Sequence, residues 1–130
     1  MKPHVDTTSF KLDLDVKSAV PIYEQIKNAV KLAIFSKKLV DGDKIISIRD
    51  LSAQYSVNPL TIMKAYNYLE IEGFLYSRKG TGYFVQIDKG KLHKERKEFF
   101  QGKVSEFLET IAGLGYTIDD IREELKRITK

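Results

Sequence analysis

The chain has 130 residues, no cysteine and only two histidines, and these absences remove whole classes of function. Without cysteine there is no disulfide scaffold, no thiolate zinc site, no iron–sulfur cluster and no thiol nucleophile. His4 and His93 lie far apart and neither has a helical i, i+4 partner, so no histidine-based metal site or catalytic triad is expected, and both read as surface residues. No apolar run approaches a membrane span, and the opening Met1-Lys2-Pro3-His4-Val5-Asp6 lacks the apolar stretch of a secretory signal; the expectation is a cytoplasmic protein without a membrane partner. A strong excess of one charge is missing too. Lys plus Arg number 22 against 18 Asp plus Glu, giving +4, which permits an anionic partner without demanding one. With 42% hydrophobic and 31% charged residues the chain is long enough for one proper core and too short for a large multidomain enzyme.

What is present is a series of local signals. Phe10, Leu12, Leu14 and Val16 alternate with charged residues, the period of a half-buried extended segment. Pro21 suits a helix start, and Ile22, Ile26, Ala29, Val30, Ala33 and Ile34 recur on one face of a helix that runs out near Lys37 and Lys38, followed by an Asp41-Gly42-Asp43 turn. Ser47, three residues before Asp50, reads as the N-cap of a short helix ending about Gln54. After Tyr55-Ser56-Val57, Asn58-Pro59 pairs a preferred N-cap with proline at the first helical position, and the helix it starts carries Ile62, Ala65, Tyr66 and Leu69, with Gly73 as its stop. A short helix, a tight turn and a longer helix form a helix-turn-helix. Phe74–Arg78 and Tyr83–Ile87, separated by Lys79-Gly80-Thr81-Gly82, read as a β-hairpin, which makes the motif a winged helix-turn-helix. The Gly80-Thr81-Gly82 pair alone lacks the rest of a nucleotide-binding fingerprint, so it reads as a turn.

A helix-turn-helix presents the start of its second helix to the major groove of double-stranded DNA. Here that start is Asn58, Pro59, Leu60 and Thr61. Asn58 and Thr61 suit bases or phosphates, Leu60 suits a thymine methyl, and Lys64 one turn on suits the backbone. Arg49 on the preceding helix suits a phosphate or a base, with Ser47 beside it at the helix entry, and Arg78 and Lys79 suit the phosphate or minor-groove side. The bland alternatives are a helix cap for Asn58, a surface filler for Thr61, a residue paired with a nearby carboxylate for Arg49, and solvated turn charges for Arg78 and Lys79.

The stretches Gly42–Ser52 (GDKIISIRDLS), Val57–Gly73 (VNPLTIMKAYNYLEIEG) and Gly80–Val85 (GTGYFV) resemble the N-terminal DNA-binding domain of GntR-type transcription regulators. The Val57-Asn58-Pro59 form, the opening Pro21–Ile26 (PIYEQI) and the short helical tail resemble its YtrA-like branch. Two departures are Ile46, where the family usually has proline, and Ile45 in place of leucine; both alter the helix entry without removing a DNA-facing group. The resemblance implies that Arg49 takes the role of the family's arginine after the Pro-Ser step, Thr61 that of its DNA-reading threonine, and Lys79 with Gly80 that of its wing contact. Many relatives carry an arginine where this chain has Pro59, so one base contact is absent or differently supplied.

From Lys89 onward a new register begins: Leu92, Phe99, Phe100, Val104, Phe107, Leu108 and Ile111 recur at helical spacing until Gly113 and Gly115, and after Thr117 a second set follows, Ile118, Ile121, Leu125 and Ile128. Two such stripes cannot be covered by each other alone, and an identical copy is the economical cover. The expected architecture is mostly helical α+β: a winged helix-turn-helix with an N-terminal extended segment over residues 1–88, then a two-helix dimerisation hairpin over 89–130. The expected function is a sequence-specific transcription regulator of the repressor type, binding an inverted-repeat operator as a homodimer, with no cofactor, no metal and no catalytic residue. The rival readings are a winged-helix protein-interaction module and a small-molecule sensor with a site in the dimer crevice near Phe99, Phe100 and Tyr116; an effector is left unassigned.

Overall fold

The computed structural model describes residues 10–129, so His4 and the aperiodic residues 1–9 lie outside the described residues. The chain divides into two compact units, one ending at Lys89 and the other starting at Gly90.

The first unit contains α1 (Ile22–Phe35), α2 (Ile48–Tyr55), α3 (Pro59–Ile71), β1 (Leu75–Arg78) and β2 (Gly82–Val85). Helix α1 turns Ile26, Val30, Ala33 and Ile34 inward, the spacing of one helical stripe, and α3 meets it with Ile62, Ala65, Tyr66 and Leu69. Leu39, Leu51, Leu75 and Val85 are fully buried with them, closing a single core. Each local stop has a visible cause. Helix α3 ends in a Schellman turn: Gly73 adopts φ +86°, its N–H donates to Glu70 O, and Phe74 N–H donates to Leu69 O. Helix α1 ends the same way, but Lys37 occupies the left-handed position at φ +64°, where a Cβ costs energy. Lys37 and Lys38 therefore belong to the turn beyond the helix rather than to its last turn.

Two expectations are refined. Leu12 and Leu14 are buried and Lys11, Asp13 and Asp15 exposed, as alternation requires, yet residues 10–15 join no sheet and Val16 is 56% exposed. A side chain replaces the missing strand partner. Gln25 Oε1 accepts from Asp15 N–H at 2.8 Å, while Gln25 Nε2 donates to Asp15 O at 2.9 Å and Val20 O at 2.8 Å; Tyr55 Oη donates to Leu12 O at 3.2 Å. The second refinement is the Asp41-Gly42-Asp43 turn, which also supplies an edge to the hairpin. Gly42 N–H donates to Val85 O, Val85 N–H to Asp43 O, and Ile45 N–H to Tyr83 O, with a bridge between Lys44 and Phe84.

The second unit contains α4 (Lys89–Gly113), which begins at the last residue of the first unit, and α5 (Ile118–Ile128). Gly115 at φ +89° turns the chain between them. Thr117 and Asp120 form a reciprocal capping box: Asp120 N–H donates to Thr117 Oγ1 and Thr117 N–H donates to Asp120 Oδ2. Neither helix buries a side chain. Among the described residues no helix is long and apolar enough to cross a membrane.

Candidate nucleic-acid interface

The candidate surface is built on caps. Ser47 Oγ accepts from Asp50 N–H at 3.0 Å and starts α2, which leaves Arg49 exposed in the first turn. Ser56 takes φ +55°, and Ser52 Oγ donates to Val57 O at 2.6 Å across the turn, so a non-glycine residue is held in the left-handed region by the bonds around it. Asn58 Oδ1 then accepts from Leu60 N–H at 2.9 Å and Pro59 occupies the first turn of α3. Ser47 and Asn58 are thus caps first; their amide or hydroxyl donors remain available to a ligand.

Helix α3 is two-faced. Its inner face is the core stripe, and its outer face carries Leu60, Met63, Lys64, Asn67 and Ile71, all exposed, with Leu60 57% exposed. Asn58 and Pro59 are exposed at its start, while Thr61 is half-buried at the boundary between the faces. Arg78, Lys79 and Gly80 are exposed on the hairpin, Gly80 at φ +76° with open space around it. The expected DNA-facing residues therefore divide between the start of α3, the first turn of α2 and the hairpin.

Contacts absent from the sequence reading hold those parts together. Tyr83 Oη donates to Asn67 Oδ1 at 3.0 Å, so the hairpin is tied to the outer face of α3. Ser77 N–H and Oγ both donate to Glu70 Oε2, at 3.0 and 2.8 Å. Tyr66, fully buried, donates its hydroxyl to Ile46 O at 2.7 Å and meets Tyr83 edge to face at 5.2 Å. Burial, and next the neighbouring Tyr83, push the Tyr66 phenol far up from its ordinary value, so it stays a neutral donor. That bond fixes the entry of α2 from inside α3, at the position where Ile46 departs from the usual proline. Met63 and Asn67 were legible in principle, since they share the helical period of Leu60 and Lys64.

The second unit carries apolar stripes of its own. Phe100 is 65% exposed, and Val104, Phe107, Leu108, Ile118, Leu125 and Ile128 are also exposed; Phe99, Ile111 and Ile121 are half-buried. His93 is exposed on α4. Among the described residues no group of three or more histidine, aspartate or glutamate side chains is placed to hold a metal ion.

Comparison with known proteins gives these features a context. A family profile, Bacterial regulatory proteins, gntR family, matches residues 22–85. Similar proteins include YhcF of Bacillus subtilis, an uncharacterized HTH-type transcriptional regulator, 32% identical over 92% of this chain and 98% of its own length. Another is the HTH-type transcriptional repressor YtrA of the same organism, 28% identical over 91% of this chain and 92% of its own. A solved GntR family transcriptional regulator from Listeria monocytogenes superposes with a TM-score of 0.70 at 29% identity, covering 88% of this chain and 98% of that one. The match runs through both the winged helix-turn-helix and the helical tail, and on it the chain belongs to the GntR family of bacterial transcriptional regulators, in the YtrA-like branch.

Proposed function

We propose that this regulator is a repressor that binds an inverted-repeat operator in double-stranded DNA as a homodimer, through residues of the first unit, with the second unit as its dimerisation part. The observation that carries the reading is the Tyr83–Asn67 hydrogen bond, which ties the wing to the outward face of α3. A helix held with its first turn open and a wing fixed beside it suits one duplex: the helix start in the major groove, the wing along the backbone. Arg49, Asn58, Leu60 and Thr61 are assigned to base edges or nearby phosphates. Ser47 and Pro59 shape the helix entries, and Lys64, Arg78, Lys79 and Gly80 are assigned to the backbone.

The dimer reading is supported by the exposed stripe Phe100, Val104, Phe107 and Leu108 on α4, continued by Phe99 and Ile111, and by Ile118, Ile121, Leu125 and Ile128 on α5. A two-fold interface lets each patch cover its copy and sets two recognition helices on two half-sites. The repressor reading is supported by the similarity to YtrA, itself named a repressor.

Selection of bound duplexes from a random pool, read out by sequencing, tests the proposal. The expected product is a two-fold repeat whose half-site spacing reports the dimer. A selected sequence without two-fold symmetry breaks the homodimer reading, and failure to enrich any sequence breaks the operator reading.

A further inference from the structure

The geometry points to Lys44, acting with Arg78, as a cationic strip on the outer face of the wing that holds a DNA backbone phosphate. The inference rests on the DNA-binding reading above and adds a residue that it does not contain.

The register of the hairpin sets the two faces. Residues directly opposite in a sheet share a face, and faces alternate along a strand. Tyr76 pairs with Phe84 and Arg78 with Gly82, while Lys44 bridges Phe84 from the other side. Lys44, Tyr76, Arg78, Gly82 and Phe84 therefore share one face. The opposite face carries Leu75, Ser77, Tyr83 and Val85, and it is the one turned to α3: Ser77 bonds Glu70, Tyr83 bonds Asn67, and Leu75 and Val85 are in the core. The Lys44 face is thus directed away from α3.

On this outer face Phe84 is the floor. Tyr76 stacks on it at 5.6 Å, and the Arg78 guanidinium stands 5.3 Å from its ring centre. The Lys44 stem passes over Gly82. A Cβ at Gly82 would lie 3.2 Å from Lys44 Cε and 3.9 Å from its Nζ, tighter than comfortable packing, and Gly82 also holds φ +134°. Glycine at this position admits both the backbone turn and the lysine stem. Lys44 is half-buried, with its methylenes along the sheet.

Two cations are thus brought to one strip, Gly82–Phe84, and among the described residues neither forms an ion pair. Like charges on one face of a small sheet repel each other, and an anion between them relieves the repulsion. A phosphodiester supplies that anion: the guanidinium offers a planar fork of donors and the ammonium a compact point charge, both suited to phosphate oxygens. The strip leads directly into Lys79 and Gly80 at the tip, so it lengthens the backbone-tracking surface of the wing.

The experiment measures binding of the full chain to a pool of random-sequence duplex DNA as a function of salt. Lys44→Met keeps the stem over Gly82 and removes the charge. Its salt slope is expected to be shallower than wild type by about 0.9 per protomer, or about 1.8 for the dimer, which is about a sixtyfold difference across a tenfold span of salt. Lys44→Arg is expected to keep the wild-type slope, and Lys44→Gln to repeat the loss if methionine disturbs the sheet, with circular dichroism reporting the fold of each. A wild-type slope in both Lys44→Met and Lys44→Gln, with duplex binding intact, overturns this inference and leaves the DNA-binding reading standing. A wild-type chain that binds no duplex overturns both.

Discussion

The two units of this chain put their apolar side chains to opposite uses. Every buried hydrophobic residue among those described lies between Leu12 and Val85, whereas α4 and α5 bury none. Their end charges differ as well. Helix α5 follows the helix dipole, with Asp119 and Asp120 in its first turn, Lys126 and Arg127 in its last, and Arg122–Asp119, Lys126–Glu123 and Arg127–Glu124 pairs along its surface. Helix α4 has no acid in its first turn, where Lys89 and Lys91 sit instead. An apolar residue in the first unit stabilises the fold of the unit that carries it; in the second, most of the stripe stays exposed to solvent. Similar side chains at similar spacing therefore predict different measurements in the two places.

The sharpest way to break this contrast is to truncate one aromatic in each unit. Tyr66→Ala removes a fully buried ring and the hydroxyl bonded to Ile46 O, so equilibrium denaturation is expected to show a loss of about 3–5 kcal/mol. Phe107→Ala removes a half-exposed ring from α4 and is expected to leave the thermal transition of the first unit unchanged while weakening self-association. An equal loss of stability in both variants removes the distinction.

Removing the second unit is the next largest change. A chain ending at Asp88 is expected to sediment as a folded monomer that binds DNA weakly, and the full chain as a dimer. Analytical ultracentrifugation of both forms decides the point: a dimeric truncation, or a monomeric full chain at micromolar concentration, places the interface elsewhere.

Within the first unit, Arg49→Ala and Thr61→Ala are each expected to cost about 1–3 kcal/mol in specific binding while leaving the circular dichroism spectrum unchanged. Undiminished operator affinity in both variants removes the assigned recognition surface. Lys79→Ala is expected to act more evenly, weakening binding to many sequences alike and flattening the salt dependence by about one unit per protomer; a changed base preference at constant slope would mean that the wing reads sequence.

The smallest expected effect concerns backbone alone. Lys37 holds φ +64° at the end of α1 with its side chain exposed, and Lys37→Gly is expected to raise stability by up to about 1 kcal/mol, since glycine pays no Cβ penalty there. A lowered melting temperature would show that the lysine makes a contribution that outweighs its strain.

Much of the fold was legible because its signals are local. Ser47 with Asp50, Asn58 with Pro59, and Thr117 with Asp120 each set a helix start within a few residues, and all three caps form. The stripe Ile62, Ala65, Tyr66 and Leu69 follows from helical period alone. Less legible were features made by distant partners. Nothing near Gln25 announces that its amide would satisfy the backbone of Asp15 and Val20, and nothing near Asp41-Gly42-Asp43 announces that this turn would pair with β2. The candidate surface divides the same way. Leu60, Lys64 and Asn67 share a face by spacing, but the hydrogen bond that fixes the wing against Asn67 joins residues 16 apart.

Where most helices start, which face of each is apolar, and that the second unit carries more apolar stripe than it can cover all follow from local signals, because caps, turns and periodicity act over a few residues. How Tyr66 fixes the entry of α2, which face of the wing turns outward, and that Lys44 joins Arg78 on the Phe84 face came from packing between elements. Those outcomes depend on strand register and on side chains brought together from separate elements, and no short-range rule encodes such pairings.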